Sequence, residues 1–569
     1  MTEPQPTNDP EPRRTDSPKP SAKPLTSSSW RTGSSVRALL KRPLLWDLLL
    51  GVLTAIWSAI FLRLFWPGRV NVDIANQYLQ ATGEIPYSDW HPPVMSAVWG
   101  ILLDITGDPG SLLLLQVGLL AAAAWGIGVL VHRSGAPKWV SLLGPTIMVT
   151  PWVVSQMTTL WKDTQMAVAL LLAVVLIMIT RFVPKTWLLW LPALVLLVYA
   201  VGVRKNAVFA VVPIAVYGGW CLVHLWRHRR GRAGDSAACT GSASPENSAS
   251  SESSASPESS KPPATSGKKG RPLLLTAASS LIVLVLIGGG VKVTDAVIDS
   301  QLGVTKTGQI SQIFLDDVMF SVPDAELKKS GAPKELTDHI SSAREKCLEK
   351  GEIWDSYWNC YGKGESGEDF SPIAHQDALK QLWLDHVITH PLRYAEYRAA
   401  VFSYYFFTSG VEYWPAEWNG EASDVGIEKG DPKADYIMRP YVEDFALGTF
   451  PMLFTPWFWT LAAVVLLGLA YRAHRHNRGG LLHRRSFWPE ITTLAASALC
   501  YVFGYFPIVP ANHFRYTFWP ALALTTAVVL AIAMWRRPDR PRSGSAHGGP
   551  GPDRDAATRP SAASSKSES

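Results

Sequence analysis

Asp73 lies just beyond the end of a long apolar stretch at Phe65, and the run Ser88-Asp89-Trp90-His91-Pro92-Pro93 follows it. If "VDIANQYLQATGE" is helical, Asp73, Gln77 and Gln80 share one face. A carboxylate beside amides suits a general base for an alcohol or amine acceptor. Proline fixes its own backbone angle and restricts the residue before it, so Pro92-Pro93 holds Asp89 and His91 rigidly. Proline at the first turn of a helix is also ordinary capping chemistry. Asp73, Asp89 and His91 are the candidate catalytic residues.

A second group of polar residues sits at the ends of other apolar stretches. Lys162 and Asp163 occur in "TLWKDTQ", Arg204, Lys205 and Asn206 in "VGVRKNAVF", and Asn512, His513, Arg515 and Tyr516 in "PANHFRYTFWP". A charge at the centre of a membrane helix costs about 2.5–3.5 kcal/mol on insertion scales, and less near the ends. Taken singly, Arg204 and Lys205 read equally as snorkelling anchors, and Lys162-Asp163 as a neutralising pair. Together the cations call for a counter-charge. A phosphate supplies one, because Arg offers a planar fork of donors and Lys a mobile point charge. Gln77, Lys162, Asp163, Arg204, Lys205, Asn206, His513, Arg515 and Tyr516 are therefore the candidate substrate-binding residues.

The elements that must carry these groups are membrane spans. The 569-residue chain is 47% hydrophobic with 24 Trp, and its apolar runs reach the length of about 20 residues that crosses a bilayer. Ten candidate spans are Leu45–Phe65, Ser111–Val131, Trp139–Met157, Thr164–Phe182, Trp187–Val203, Ala207–Trp226, Leu273–Val291, Met452–Tyr471, Trp488–Val509 and Tyr516–Trp535. Pro92–Leu103 is apolar but too short to cross. The net charge of +6 is no nucleic-acid signal, since Lys and Arg cluster at span ends. Basic residues at Arg133/Lys138, at Arg181/Lys185, from Arg227 and from Arg472 share one side, which the positive-inside rule makes cytoplasmic, with both termini. The first external loop (66–110), the turns at Lys162, Arg204 and His513, and a long segment (292–451) face the other side. Leu45–Phe65 follows a polar tail and reads as an anchor.

The chain then divides into a cytoplasmic tail (1–42), an N-terminal membrane module (43–226), a cytoplasmic linker (227–272), a span (273–291), the extracytoplasmic segment (292–451), the last spans (452–535) and a second tail (536–569). The tails and the linker are rich in Ser, Pro and charge and read as disordered. In the extracytoplasmic segment, "DALKQLWLDHVITHPLRYAEYRAAVFSYYFF" has helical spacing with a break at His390-Pro391. Cys347 and Cys360 lie in this segment, where an oxidising compartment permits a disulfide.

An early Asp and a later D-x-H-P-P in the first external loop, after one span, resemble the GT-C glycosyltransferases, nearest the protein O-mannosyltransferase branch. The resemblance covers the six-span N-terminal module and extends more loosely to the last spans. It implies an all-α integral membrane protein with a GT-C-like bundle of about ten transmembrane helices and a mostly helical extracytoplasmic segment; the long polar ends and the Ala/Arg usage point to a bacterial cell envelope. It implies inverting transfer of a hexosyl or pentosyl group from a polyprenyl-phosphate sugar donor to an extracytoplasmic glycan, lipid or protein acceptor, at the cell membrane among its lipids. Asp73 matches the family's first-loop acid, and Asp89 and His91 the loop's second half. Arg204 and Arg515 fall where phosphate-holding residues are expected. The family often has two adjacent acids in this loop, whereas Ile74 follows Asp73 here. Asp316-Asp317 has no assigned place. Some members use a divalent metal and others do not; one carboxylate and one His make no recognisable site. Rival readings are a transporter or flippase of lipid-linked glycan, or a non-catalytic envelope scaffold.

Overall fold

The computed structural model describes residues 43–183, 185–239, 271–362, 375–408, 410, 413–476, 486–509 and 511–536. The expected tails lie outside these residues, as does most of the linker. The linker's edges are helical: one helix runs Ala207–Cys239 and the next begins at Arg271. Helix propagation needs no apolar side chain, and Arg and Ala are good helix formers. The described residues from 49 onward form one compact unit; of residues 1–48, those described are helical.

The fold is all-helical among the described residues, with two isolated β-bridges. Seven helices are long and apolar enough to cross a membrane: Pro43–Phe65, Ser111–Arg133, Lys162–Phe182, Lys205–Arg227, Leu273–Leu302, Pro456–Arg475 and Phe514–Trp535. The expectation of ten is not confirmed. Trp139–Met157 is instead a pair, Lys138–Val149 and Pro151–Met157, bent by 43°. Pro151 has no N–H for the helix ladder and forces Thr150 into an extended conformation (ψ 140°). Counting that pair as one span gives eight. Trp187–Val203 forms a shorter apolar helix, and Trp488–Gly504 ends after 17 residues with Glu490 buried inside it. Glu490 pairs there with Arg181 and accepts from Tyr217 Oη at 2.5 Å.

Two helices are the most enclosed: 72% of the apolar window of Lys162–Phe182 and of Phe514–Trp535 is buried within the protein. Each carries a candidate cation at its start. Around them pack Ser111–Arg133, Trp190–Val203 and Trp488–Gly504.

The 292–451 segment has a core of its own, built on Leu315, Val318, Met319, Leu336, Ile340 and Leu379. Trp90 of the first loop is part of this core. Cys347 and Cys360 are bonded. The break at His390-Pro391 is present, with Pro391 opening the helix Pro391–Phe407. Arg398 of that helix pairs with Asp317 at 2.7 Å, both side chains fully buried, and Trp383 Nε1 donates to Asp317 Oδ2 at 2.8 Å. Asp317 thus ties Ser311–Ser321 to Pro391–Phe407.

Removing one partner of a buried ion pair strands the other charge and costs about 3–5 kcal/mol, whereas removing both costs much less. Arg398→Met is therefore expected to lower the unfolding temperature clearly in detergent, and Asp317→Asn/Arg398→Met to recover part of the loss. Wild-type unfolding by the single variant contradicts the role given to this pair.

Candidate functional site

The first loop is fastened where it leaves the first helix. Gly68 turns the chain at φ 112°, an angle that favours glycine. Arg69 N then donates to Thr158 O (2.9 Å), and Leu160 N donates to Arg69 O (3.1 Å). This short bridge sets the loop beside the start of Lys162–Phe182. The Arg69 guanidinium is fully buried against the carbonyls of Lys429 (3.1 Å) and Asp431 (3.3 Å) and the Asp435 carboxylate (3.3 Å). Asn71 caps the next helix, Val72–Thr82, its Oδ1 accepting from Ile74 N at 3.1 Å. Asp73 falls in the first turn, where a helix favours negative charge.

Asp73 lies between an imidazole and a guanidinium. Its Oδ1 faces His91 Nε2 at 3.5 Å and its Oδ2 faces Arg515 Nη1 at 3.6 Å. His91 Nδ1 lies 2.5 Å from Lys162 Nζ. An ammonium donates and cannot accept, so Nδ1 is the acceptor and a neutral His91 carries its proton on Nε2, toward Asp73. Burial works to raise the Asp73 carboxyl, but His91, Lys162 and Arg515 outweigh it and hold it well below the usual carboxylate range. Burial, then Lys162, lowers His91, against the pull of Asp73. Asp73 is thus ionised, and the stability that its low pKa contributes is present above about pH 4 and lost only below it.

Arg515 stands on the turn Phe514–Thr517 ahead of the last helix, with its guanidinium 4.3 Å from the Trp161 ring centre. Phe514 N donates to Gly410 O at 2.8 Å and holds that turn. Arg204 Nε pairs with the buried Asp163 at 3.0 Å, and its Nη2 donates to Tyr505 Oη at 3.4 Å.

A cavity of about 520 Å³ opens among these groups. Asp73, His91, Lys162, Arg204, Arg515 and Tyr516 line it; so do Lys205 and Asn206, with Lys205 also bound to Asp295 at 2.7 Å. Such a size fits a small-molecule site. Four candidates, Gln77, Asp89, Asp163 and His513, are not in its wall. Asp89 accepts from Thr307 N (2.7 Å) and Thr307 Oγ1 (2.8 Å), latching the first loop to the 292–451 segment. Gln77 is buried beneath its helix, Asp163 stands behind Arg204, and His513 edges onto the Tyr516 ring.

The cavity also contains residues that sequence reasoning passed over: Gln309, Gln312, Asp355 and Trp358. "EIWDSYWNCYGKG" reads as an aromatic loop, and a lone Asp among rings carries no spacing signal. Burial, then Asp316, pushes the Asp355 carboxyl up to about 7. Asp316 is itself raised to about 6 by burial while it accepts from Ser356 N at 3.0 Å, fixing the loop next to Asp355. No group of three or more His, Cys, Asp or Glu able to hold a metal occurs among the described residues. No family model, curated protein or solved structure matches this chain.

A carboxyl with a raised pKa favours the protonated fold, so its stabilising effect is full below about pH 4 and is lost as pH rises through about 7. Asp355→Asn is expected to raise stability by up to about 4 kcal/mol at pH 8 and to change little at pH 4. Thermal unfolding at the two pH values measures this, and an equal shift at both contradicts it.

Proposed function

We propose that this chain is an integral membrane glycosyltransferase of GT-C type. It transfers a hexosyl or pentosyl group from a polyprenyl-phosphate donor to an extracytoplasmic acceptor, with inversion. One observation carries this reading: a single ionised carboxylate, Asp73, sits among fixed cations in one cavity at the ends of the two most enclosed helices.

The chemistry follows from that arrangement. Lys162 and Arg515 stand at helix starts, where the dipole is already positive, and an anion there relieves both. With Asp355 and Lys162 both protonated, three cations (Lys162, Arg204 and Arg515) face two carboxylates (Asp73 and Asp163), which leaves a charge suited to one phosphodiester. The acceptor oxygen attacks the anomeric carbon from the face opposite the phosphate. The bond from that carbon to the phosphate oxygen breaks, its electron pair goes to the phosphate, and Arg and Lys stabilise the growing charge. The acceptor's proton passes to Asp73. In the empty cavity Asp73 is a weak base, because the cations lean on it. A bound phosphate draws Lys162 and Arg515 to itself and makes Asp73 more basic when the acceptor is present. His91 orients the carboxylate through Nε2–H.

The bonded Cys347–Cys360 pair supports an oxidising location for the 292–451 segment and so for the cavity mouth. The basic residues at the opposite ends of the helices support cytoplasmic termini and a place in the cell membrane.

In proteoliposomes supplied with a polyprenyl-phosphate sugar, Asp73→Asn is expected to lower turnover by about 10²- to 10⁴-fold. Arg515→Gln is expected to lower turnover and raise the donor KM. Wild-type turnover by Asp73→Asn contradicts the base assignment. Donor translocation without bond change favours a transporter.

A further inference from the structure

The cavity has a second wall of different chemistry. Its Lys and Arg come from the helix ends at Lys162, Arg204, Lys205 and Arg515. The wall from the 292–451 segment instead presents Gln309, Gln312, Asp355 and Trp358, with Trp90 of the first loop beside them. Asp355 is held in place. It adopts φ 50°, an angle that L side chains rarely take, and Gln312 Nε2 donates to its Oδ1 at 2.6 Å. Its carbonyl accepts from Trp358 N and Asn359 N, each at 3.1 Å. The Cys347–Cys360 bond closes the loop that carries Asp355 and Trp358. Trp358 sets its edge to Trp90 at 6.4 Å between ring centres, yet 44% of it stays exposed.

We propose that this wall is a monosaccharide subsite, in which Asp355 and the amides of Gln309 and Gln312 take ring hydroxyls while the Trp358 indole lies against the sugar's C–H face. A sugar ring carries hydroxyls, each both donor and acceptor, around an apolar face. A protonated carboxyl donates to one of them and accepts from another, and an amide both donates and accepts. An indole adds rigid apolar surface at little entropy cost. A phosphate takes the cationic side, where Lys and Arg meet its charge. One glycosyl phosphate therefore spans both walls, with the anomeric carbon between them. This inference rests on the transferase reading and adds to it the residues that hold the transferred sugar.

The test uses the full chain in lipid nanodiscs and measures the binding of farnesyl phosphate, farnesyl-phosphoryl glucose, farnesyl-phosphoryl mannose and farnesyl-phosphoryl arabinose. At least one glycosylated probe is expected to bind wild type about tenfold more tightly than farnesyl phosphate, a difference of about 1.4 kcal/mol. Asp355→Asn and Trp358→Ala should erase that preference while leaving farnesyl phosphate binding unchanged, and Trp358→Phe should retain it. Unfolding temperatures measured alongside identify a variant that fails to fold. The inference is overturned if wild type shows no preference. Equal weakening of all the probes, or a rise in the acceptor KM alone, overturns it as well. The two readings fail separately. Sugar transfer with no probe-selective effect of Asp355→Asn sinks the subsite and leaves the transferase. An Asp355-dependent preference in a chain that transfers nothing keeps the subsite and sinks the transferase.

Discussion

The contact on which the rest depends is that of the Asp73 carboxylate with the cations around it. Desolvation disfavours an ionised carboxylate at a buried helix start, and His91, Lys162 and Arg515 outweigh that cost. None of these groups is near another in the chain, so holding them within hydrogen-bonding or ion-pairing reach is a demand on the whole bundle. The two enclosed helices meet it by delivering Lys162 and Arg515 to one end. The bridge from Arg69 to Thr158 and Leu160 meets it by bringing the first loop to the same place. The buried Arg69–Asp435 pair then fixes that loop to the 292–451 segment.

The loop SDWHPP links the two cores of the molecule. Ser88 and Asp89 pair with Thr305 and Thr307, Trp90 enters the core of the 292–451 segment, and His91 turns back to Asp73 and Lys162. Anchoring on both sides gives the imidazole one orientation, which a group set between a carboxylate and an ammonium requires. The same anchoring lets the 292–451 segment close the cavity with Asp355 and Trp358.

Much of this was legible in the amino-acid order. A cation at the end of an apolar run has few uses, so Lys162, Arg204 and Arg515 stood out by position alone, and Asp73 by its place beyond the first span. The early part of "VDIANQYLQATGE" does form a capped helix. What was not legible depends on partners far away in the chain. Asp89 looks as reactive as His91 until Thr307 is found on its carboxylate. Asp355 looks like loop polarity until Asp316, Gln312 and the cavity enclose it. One expected span is interrupted for a local reason: hydropathy sums over Pro151, whereas the backbone bends there.

The central claim is that these scattered groups form one phosphate-binding cavity. A cryo-electron microscopy map of the chain in nanodiscs with farnesyl phosphate tests it most directly. The account predicts phosphate density within hydrogen-bonding distance of Lys162 and Arg515, with the prenyl chain leaving toward the lipid. A map with Asp73 and Arg515 far apart, or with the phosphate bound away from both, would contradict it.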